Sequence, residues 1–169
     1  MSDITLGILG GGQLGSMLSA AAKKLNIKTI IYSDDKDAPA QNFCDEFVFA
    51  SYENKEKIYE LAKKVDIITY EFENIPFETL NELNKLKTVL PKPSVNRLIQ
   101  HRLAEKDFIN KLNIRTTRYV SVEKKTDIET LGDFLPGILK ITTMGYDGKG
   151  QYPLKKMEDI NSLNIDFSK

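Results

Sequence analysis

The segment Gly7-Ile8-Leu9-Gly10-Gly11-Gly12-Gln13-Leu14-Gly15 decides the fold. The apolar run from Ile4 to Leu9 predicts a buried strand, and the glycines that follow predict a tight turn. The turn satisfies the pattern G-x-G-x-x-G. Apolar residues then recur at helical spacing, which predicts a helix with one apolar face made of Leu14, Met17, Leu18, Ala21 and Leu25.

Strands and helices alternate after this segment. Helical stripes are formed by Ile58, Leu61, Ala62 and Val65 and, after Pro76, by Phe77, Leu80 and Leu83. Further strands are predicted at 28–32, 46–50, 66–70 and 88–90. This alternation predicts an α/β fold with a parallel, doubly wound, Rossmann-like sheet.

The stretch Pro91-Lys92-Pro93 predicts a domain boundary, which gives a first domain at 1–93 and a second at 94–169. In the second region Ser94 is expected to cap a short helix. A second helix is expected to carry Ala104, Phe108 and Leu112 on one face. Beyond it the pattern predicts a strand at 116–122, a helix at 127–134, and strands at 137–141 and 152–154.

Composition excludes several classes of function. Lysine plus arginine equals aspartate plus glutamate at 24 each, and a nucleic-acid or membrane-surface role normally needs a basic excess. The single cysteine, Cys44, allows no internal disulfide and indicates a cytoplasmic protein. No apolar stretch is long enough for a membrane span or a signal peptide. His101 is the only histidine, so a histidine metal site is not expected.

The glycine turn leaves three interpretations open. The glycines can serve only the turn and close helix–strand packing, they can bind NAD or NADP, or they can bind another anionic ligand. Asp34 and Asp35 end the second strand, where a dinucleotide-binding domain places an acidic residue.

Two further motifs follow strands. Tyr70-Glu71-Phe72-Glu73-Asn74-Ile75-Pro76 comes after the fourth strand, so its carboxylates are expected at the carboxyl edge of the sheet, either binding a ligand or solvated. Gly145-Tyr146-Asp147-Gly148-Lys149-Gly150-Gln151 follows a strand that contains Lys140. Its three glycines form either an ordinary surface hairpin or a loop that covers phosphates, with Lys140 and Lys149 supplying positive charge.

These three motifs, together with Arg102-Leu103-Ala104-Glu105-Lys106, resemble the N5-carboxyaminoimidazole ribonucleotide synthetases of purine biosynthesis, within the ATP-grasp superfamily. The resemblance implies a pre-ATP-grasp domain that binds no dinucleotide, followed by the beginning of an α+β ATP-grasp domain. It also implies that ATP activates bicarbonate as carboxyphosphate and that the carboxyl group passes to the amine of aminoimidazole ribonucleotide.

The same resemblance implies roles for individual residues. Asp147 and Lys149 match catalytic positions. The ATP-binding positions are Arg102, Lys140, Gly145, Tyr146, Asp147, Gly148, Lys149, Gly150 and Gln151. The positions that contact aminoimidazole ribonucleotide are Gln13, Leu14, Glu73, Tyr146, Asp147 and Lys149. Full-length members of the family are expected to be homodimers.

The sequence departs from the family pattern in two respects. Thr142-Thr143-Met144 replaces arginines and a glycine before the loop, and Ser16 replaces a common arginine. Family members are also much longer, and the Mg²⁺ ligands are expected in the part that this chain lacks. We therefore expect the chain alone to be inactive. The alternatives are another ATP-grasp ligase, such as glycinamide ribonucleotide transformylase or biotin carboxylase, an NAD(P)-binding oxidoreductase domain, or a non-catalytic remnant.

Overall fold

The computed structural model describes residues 4–145, 148–163, 165 and 167. These residues divide into two compact units, Met1–Ile99 and Gln100–Lys169. The predicted domain boundary after 93 stays a prediction. Helix α4 (Pro93–Ile99) belongs to the first unit because its Asn96, which is fully buried, donates a hydrogen bond from Nδ2 to the Ile75 carbonyl oxygen at 3.2 Å.

The first unit is a five-stranded parallel sheet in the order β3-β2-β1-β4-β5. Its strands are β1 (Thr5–Leu9), β2 (Lys28–Ser33), β3 (Glu46–Phe49), β4 (Ile67–Tyr70) and β5 (Thr88–Val89). Its other helices are α1 (Gln13–Lys24), α2 (Lys55–Lys64) and α3 (Phe77–Leu86), and a 3₁₀ turn spans Pro39–Asn42. The predicted Rossmann-like fold class is confirmed.

The core of the first unit lies on both faces of the sheet because strand residues alternate between the faces. Leu9, Ile30, Tyr32 and Ile68 join the larger cluster, together with Ile58 and Leu61 of α2 and Leu80 and Leu83 of α3. The smaller cluster contains Ile8, Ile31 and Ala40. Burial on both faces explains why β1 and β2 have continuous apolar runs.

Helix α1 has the predicted apolar face, but that face is not the one that is buried. Leu14, Met17 and Leu25 are 55%, 59% and 68% exposed. The buried residues of α1 are instead small, namely Gly15, Ser16, Ser19 and Ala22. Small residues let the helix backbone approach the neighbouring chain closely, which hydrophobic periodicity alone does not reveal.

The second unit has α5 (Arg102–Lys111), α6 (Lys125–Glu129), and the antiparallel pair β6 (Gly137–Lys140) and β7 (Gln151–Leu154). The strand predicted at 116–122 is wrong, since these residues form no strand in the structure. The helix predicted at 127–134 is wrong in its extent, because α6 ends at Glu129 and a separate 3₁₀ turn spans Gly132–Phe134.

Of two further predictions about the second region, one is wrong and one is confirmed. Ser94 lies inside α4, which begins at Pro93, so Ser94 does not precede the helix as a cap. The second predicted helix is present as α5, although Phe108 and Leu112 are 46% and 54% exposed. The core of the unit is small and consists of Ile128, Leu154 and Ile160, with partly buried neighbours around them.

Candidate functional site

The carboxyl edge of the first sheet brings the first two motifs together. Strands β1 and β4 are neighbours, with Leu9 opposite Tyr70, so Gly10 and Glu71 leave the sheet side by side. The Glu71 amide donates to the Leu9 carbonyl oxygen at 3.0 Å. The chain connections reverse direction at this pair of strands, and open α/β sheets bind ligands at such a switch point.

Internal packing accounts for the glycines of the first motif. Gly10 has φ +112°, a conformation that favours glycine. A Cβ on Gly11 would lie 2.5 Å from the Ala38 Cβ, and a Cβ on Gly15 would lie 2.5 Å from the Gly10 carbonyl oxygen. The G-x-G-x-x-G pattern is therefore explained without a dinucleotide, which was one of the three interpretations of the motif.

The three first-unit residues that the resemblance assigns to the substrate follow strands at this edge. Gln13 begins α1 directly after the glycine turn, and Leu14 comes next. Glu73 lies in the segment between β4 and α3. All three side chains are exposed. Their substrate contacts stay a prediction, but each is accessible to a ligand.

The segment that carries Glu73 is fixed at both of its ends. At one end Glu71 bonds to the β1 chain, and at the other the Ile75 carbonyl oxygen accepts a hydrogen bond from the buried Asn96. Sequence reasoning missed Asn96. Its only signal is that of a polar residue in a short helix, which is usually solvated.

Tyrosine side chains lie next to the end of β2. The Tyr32 hydroxyl donates to the Ser51 carbonyl oxygen at 2.7 Å. Burial, with the negative charge of Asp34, raises the pKa of Tyr32 to about 12, and the same two causes raise the pKa of Tyr52. Both hydroxyls therefore lose their protons only at a higher pH than a free tyrosine does.

The two aspartates after β2 differ in their contacts. Asp35 accepts a hydrogen bond from the Asp37 amide at 2.9 Å, which stabilises the turn after β2. Asp34 acts on the two tyrosines through its charge. Both side chains are exposed.

The second unit contains a cavity of about 640 Å³. Its walls are mainly apolar, with Leu103, Ile128, Phe134 and Leu139 among the lining residues. Four basic residues line it, namely Arg102, Lys106, Arg118 and Lys140, against one acidic residue, Asp133. An apolar cavity with an excess of positive charge suits a ligand that joins a flat ring to phosphates.

The four basic residues differ in the contacts that their charged groups already make within the chain. Lys106 Nζ donates to the Thr117 carbonyl oxygen at 3.2 Å, and the Arg118 guanidinium lies 4.6 Å from the centre of the Phe134 ring. Nε of Arg102 is buried without a hydrogen-bond partner among the described residues. Lys140 is exposed and forms no ion pair in the described part of the chain. Arg102 and Lys140 are therefore the two cations best able to accept an anionic ligand.

The third motif closes the hairpin between β6 and β7. Lys140 is paired with Gln151, and the Ile141 amide donates to the Gly150 carbonyl oxygen at 3.0 Å. Gly148 and Gly150 have φ +79° and +67°, and Lys149 between them is exposed. Gly145 packs beside Ile141, where a Cβ would lie 3.2 Å from Cγ1. Tyr146 and Asp147 lie outside the described residues.

Two residues that could suggest chemistry have structural roles. His101 Nδ1 accepts a hydrogen bond from the Ala104 amide at 3.4 Å, so the histidine caps α5. Burial raises the pKa of the Cys44 thiol, which makes it a poor nucleophile.

No group of three histidine, cysteine, aspartate or glutamate side chains in the described ranges could hold a metal ion. Among these residues no helix is long and apolar enough to cross a membrane.

The sheet order and the switch point define an α/β ligand-binding domain of the Rossmann-like class, followed by a separate unit with a basic cavity. The family model of the ribonucleotide synthetase pre-ATP-grasp domain matches residues 3–100, and that of the ATP-grasp domain matches 107–167. The chain therefore belongs to the ribonucleotide synthetase pre-ATP-grasp family and continues into an ATP-grasp domain.

Individual relatives agree with this assignment. The chain is 40% identical, over 95% of its length, to the N5-carboxyaminoimidazole ribonucleotide synthase of Brucella melitensis and covers 45% of that protein. It is 42% identical over 92% of its length to the bifunctional purine synthesis protein purC/E of Dictyostelium discoideum, of which it covers 16%. The chain thus spans less than half the length of these curated relatives.

Solved structures are similar over the same range. The ADP complex of N5-carboxyaminoimidazole synthetase from Staphylococcus aureus matches with a TM-score of 0.88 and 34% identity, over 95% of this chain and 43% of that one. The enzyme from Aspergillus clavatus in complex with ADP and 5-aminoimidazole ribonucleotide matches with a TM-score of 0.79 and 27% identity, over 94% and 42%. The resemblance inferred from the three motifs is confirmed.

Proposed function

We propose that this chain forms the first part of an ATP-dependent ligase that carboxylates 5-aminoimidazole ribonucleotide in purine biosynthesis. Bicarbonate is activated as carboxyphosphate, and the carboxyl group passes to the exocyclic amine to give N5-carboxyaminoimidazole ribonucleotide, ADP and phosphate. The observation that carries the proposal is that Arg102 and Lys140 line one basic cavity in the unit that matches the ATP-grasp domain. Similar proteins bind ADP, and one binds ADP with 5-aminoimidazole ribonucleotide.

The cavity and the glycine hairpin are proposed to bind ATP. An acceptor is expected at Arg102 Nε, because leaving a buried donor unpaired costs about 1–3 kcal/mol. Lys140 adds a charge at the end of β6, directly before the hairpin of residues 145–151. Backbone amides of this hairpin and Lys149 would neutralise the phosphoryl group during transfer. Asp147 and Lys149 are proposed as the catalytic pair, with Asp147 orienting the substrate amine.

Gln13, Leu14 and Glu73 are proposed to bind the aminoimidazole ribonucleotide, together with Tyr146, Asp147 and Lys149. The accessibility of Gln13, Leu14 and Glu73 at the carboxyl edge of the sheet supports this role. A carboxylate such as that of Glu73 can accept hydrogen bonds from ribose hydroxyls or from an amine.

Mg²⁺ is the cofactor that phosphoryl transfer of this type uses to neutralise the phosphates. The described residues do not fit a magnesium site, since they contain no acidic cluster. Its ligands are proposed to lie in the sequence that the longer relatives have beyond this match. The 169-residue chain alone is accordingly proposed to be inactive as a ligase.

The protein is proposed to be cytoplasmic and, as part of a full-length enzyme, a homodimer. The exposed apolar face of α1 supports the homodimer, because Met17 and Leu25 would lose contact with water if a second subunit covered them. Sedimentation of the full-length protein and of a Met17→Glu variant tests this. A monomeric wild type would contradict it.

ATP titration with NMR detection tests the nucleotide site on the 169-residue chain. We expect shifts of amides that line the cavity and at least about a tenfold loss of affinity in Lys140→Ala, because a charge-assisted hydrogen bond contributes about 1.5–3 kcal/mol. Lys63→Ala, which removes an exposed lysine of α2, is the control. Equal affinity for ATP in Lys140→Ala and in the control would contradict the proposal.

A further inference from the structure

The N-terminus of α1 is the part of the first unit where a Rossmann-like domain would place a phosphate. Helix α1 has no side-chain cap, and its first turn has no acidic residue. Its free amides and positive end would therefore attract an anion. In this protein the anion at that place is a carboxylate of the chain itself.

Glu71 supplies that carboxylate. Its Oε1 accepts a hydrogen bond from the Gly12 amide at 2.9 Å. A Cβ built on Gly10 would lie 2.6 Å from the same oxygen, and one built on Gly12 would lie 3.3 Å from it. The Glu71 carboxylate thus occupies the space that the glycines leave open above the turn.

Three other polar groups of the turn are also engaged internally. The Gly10 amide donates to the Tyr32 carbonyl oxygen at 2.9 Å, and the Gly11 carbonyl oxygen accepts from the Ala40 amide at 3.0 Å. The Gly12 carbonyl oxygen accepts from both the amide and the hydroxyl of Ser16. Of the amides that could bind an external phosphate, those of Gly10 and Gly12 are therefore already engaged within the chain.

We propose that Glu71 is a specificity-determining residue that excludes phosphate groups from the glycine turn. A ligand phosphate at the turn would have to displace Glu71 or lie within a few ångströms of its charge, and both are unfavourable. The carboxyl edge therefore accepts the part of a ligand that carries hydroxyl or amine donors. This last step rests on the proposed function for the identity of the ligand, whereas the exclusion of phosphate does not.

The exclusion of phosphate determines which part of the proposed substrate would face the first unit. The aminoimidazole ribonucleotide would present its uncharged ring or its ribose to the first unit, where Gln13 and Glu73 are exposed. Its phosphate would bind to groups other than the turn. The same residue explains why a sequence that satisfies the dinucleotide pattern does not require a dinucleotide.

Pyrophosphate and NADH titrations of the 169-residue chain, followed through the Gly12 amide by NMR, test the exclusion. The wild type is expected to show no saturable shift of Gly12 with either probe. Glu71→Ala frees the amide and removes the charge, so its affinity for pyrophosphate is expected to rise at least about tenfold. Glu53→Gln, which neutralises an exposed glutamate elsewhere in the first unit, should behave as the wild type.

Glu71→Gln keeps the test decisive if the alanine variant does not fold. Glutamine retains an oxygen that can accept from the Gly12 amide but has no charge, so its effect is expected to lie between the wild type and Glu71→Ala. A saturable Gly12 shift in the wild type, or no gain in a folded Glu71 variant, would overturn the proposal. Neither probe reports on ligase chemistry, so this outcome is separate from that of the proposed function.

Discussion

Replacing Gly15 with alanine distinguishes the packing of α1 from helix propensity, because the two predict opposite changes in the free energy of unfolding. Gly15 lies inside α1, where alanine normally stabilises a helix by about 1 kcal/mol relative to glycine. In the structure the new Cβ would lie 2.5 Å from the carbonyl oxygen of Gly10. Gly10 cannot move freely, because its amide bonds to Tyr32 and its φ is +112°.

The magnitude follows from these opposing terms. Overpacking of this kind costs about 1–3 kcal/mol, and a clash with backbone is at the upper end because no side chain can rotate away. After the gain in helix propensity, we expect Gly15→Ala to lower the free energy of unfolding by about 1–2 kcal/mol.

Urea unfolding, followed through NMR signals of the first unit such as the Ile68 amide, measures this effect without interference from the second unit. Ala21→Gly, at an exposed position of the same helix, should lose about 1 kcal/mol through propensity alone. Gly132→Ala in the second unit, where a Cβ meets nothing within 4 Å, should be close to neutral when unfolding is followed through signals of that unit. A Gly15→Ala protein as stable as the wild type would refute the close packing of α1 against the glycine turn.

Three other predictions follow from single contacts. Met144 has φ +58°, so Met144→Gly should stabilise the second unit by about 0.5–1 kcal/mol. Glycine relieves the strain of the left-handed conformation, and its larger conformational entropy in the unfolded chain offsets part of this gain. An unchanged urea midpoint would contradict this. The free energy of unfolding should fall as pH rises from about 10 to about 12, because tyrosine in the unfolded chain loses its proton near pH 10 whereas Tyr32 in the folded chain keeps it until about 12. Tyr32→Phe should reduce this fall. The same pH profile in the wild type and in Tyr32→Phe would contradict the prediction. Leu80→Ala should cost about 2–5 kcal/mol because Leu80 is fully buried, whereas Met17→Ala on the exposed face of α1 should change stability by less than about 0.5 kcal/mol; similar losses in both variants would show that the exposed face is packed.

The first unit could be predicted from the sequence because its strands are buried on both faces and its helices alternate with them. Continuous apolar runs and glycine turns determine such an architecture locally. The contact between Glu71 and Gly12 could not be predicted in the same way, since it depends on β1 and β4 being neighbours. The packing of α1 through Gly15, Ser16, Ser19 and Ala22 was hidden because the more hydrophobic face of the helix is the exposed one.

The second unit was harder to predict because the sheet in its described residues consists only of the pair β6 and β7. The segment 116–122 has a strand-like composition, yet no strand forms there in the structure. A strand needs a neighbouring strand to satisfy its amides and carbonyl oxygens, and local propensity does not supply one. The cavity residue Arg118 was missed for a related reason, because the loop that carries it has no sequence signal.

The formation of ADP in the presence of 5-aminoimidazole ribonucleotide and bicarbonate tests the central claim most directly. It should be measured for the 169-residue chain, for a polypeptide in which the chain is joined to the remaining part of an ATP-grasp relative, and for the Lys140→Ala variant of that polypeptide. The account predicts ADP release that requires both substrates, occurs only in the longer polypeptide, and is lost in the variant. ADP release that is independent of 5-aminoimidazole ribonucleotide, or full activity of the 169-residue chain alone, would contradict it.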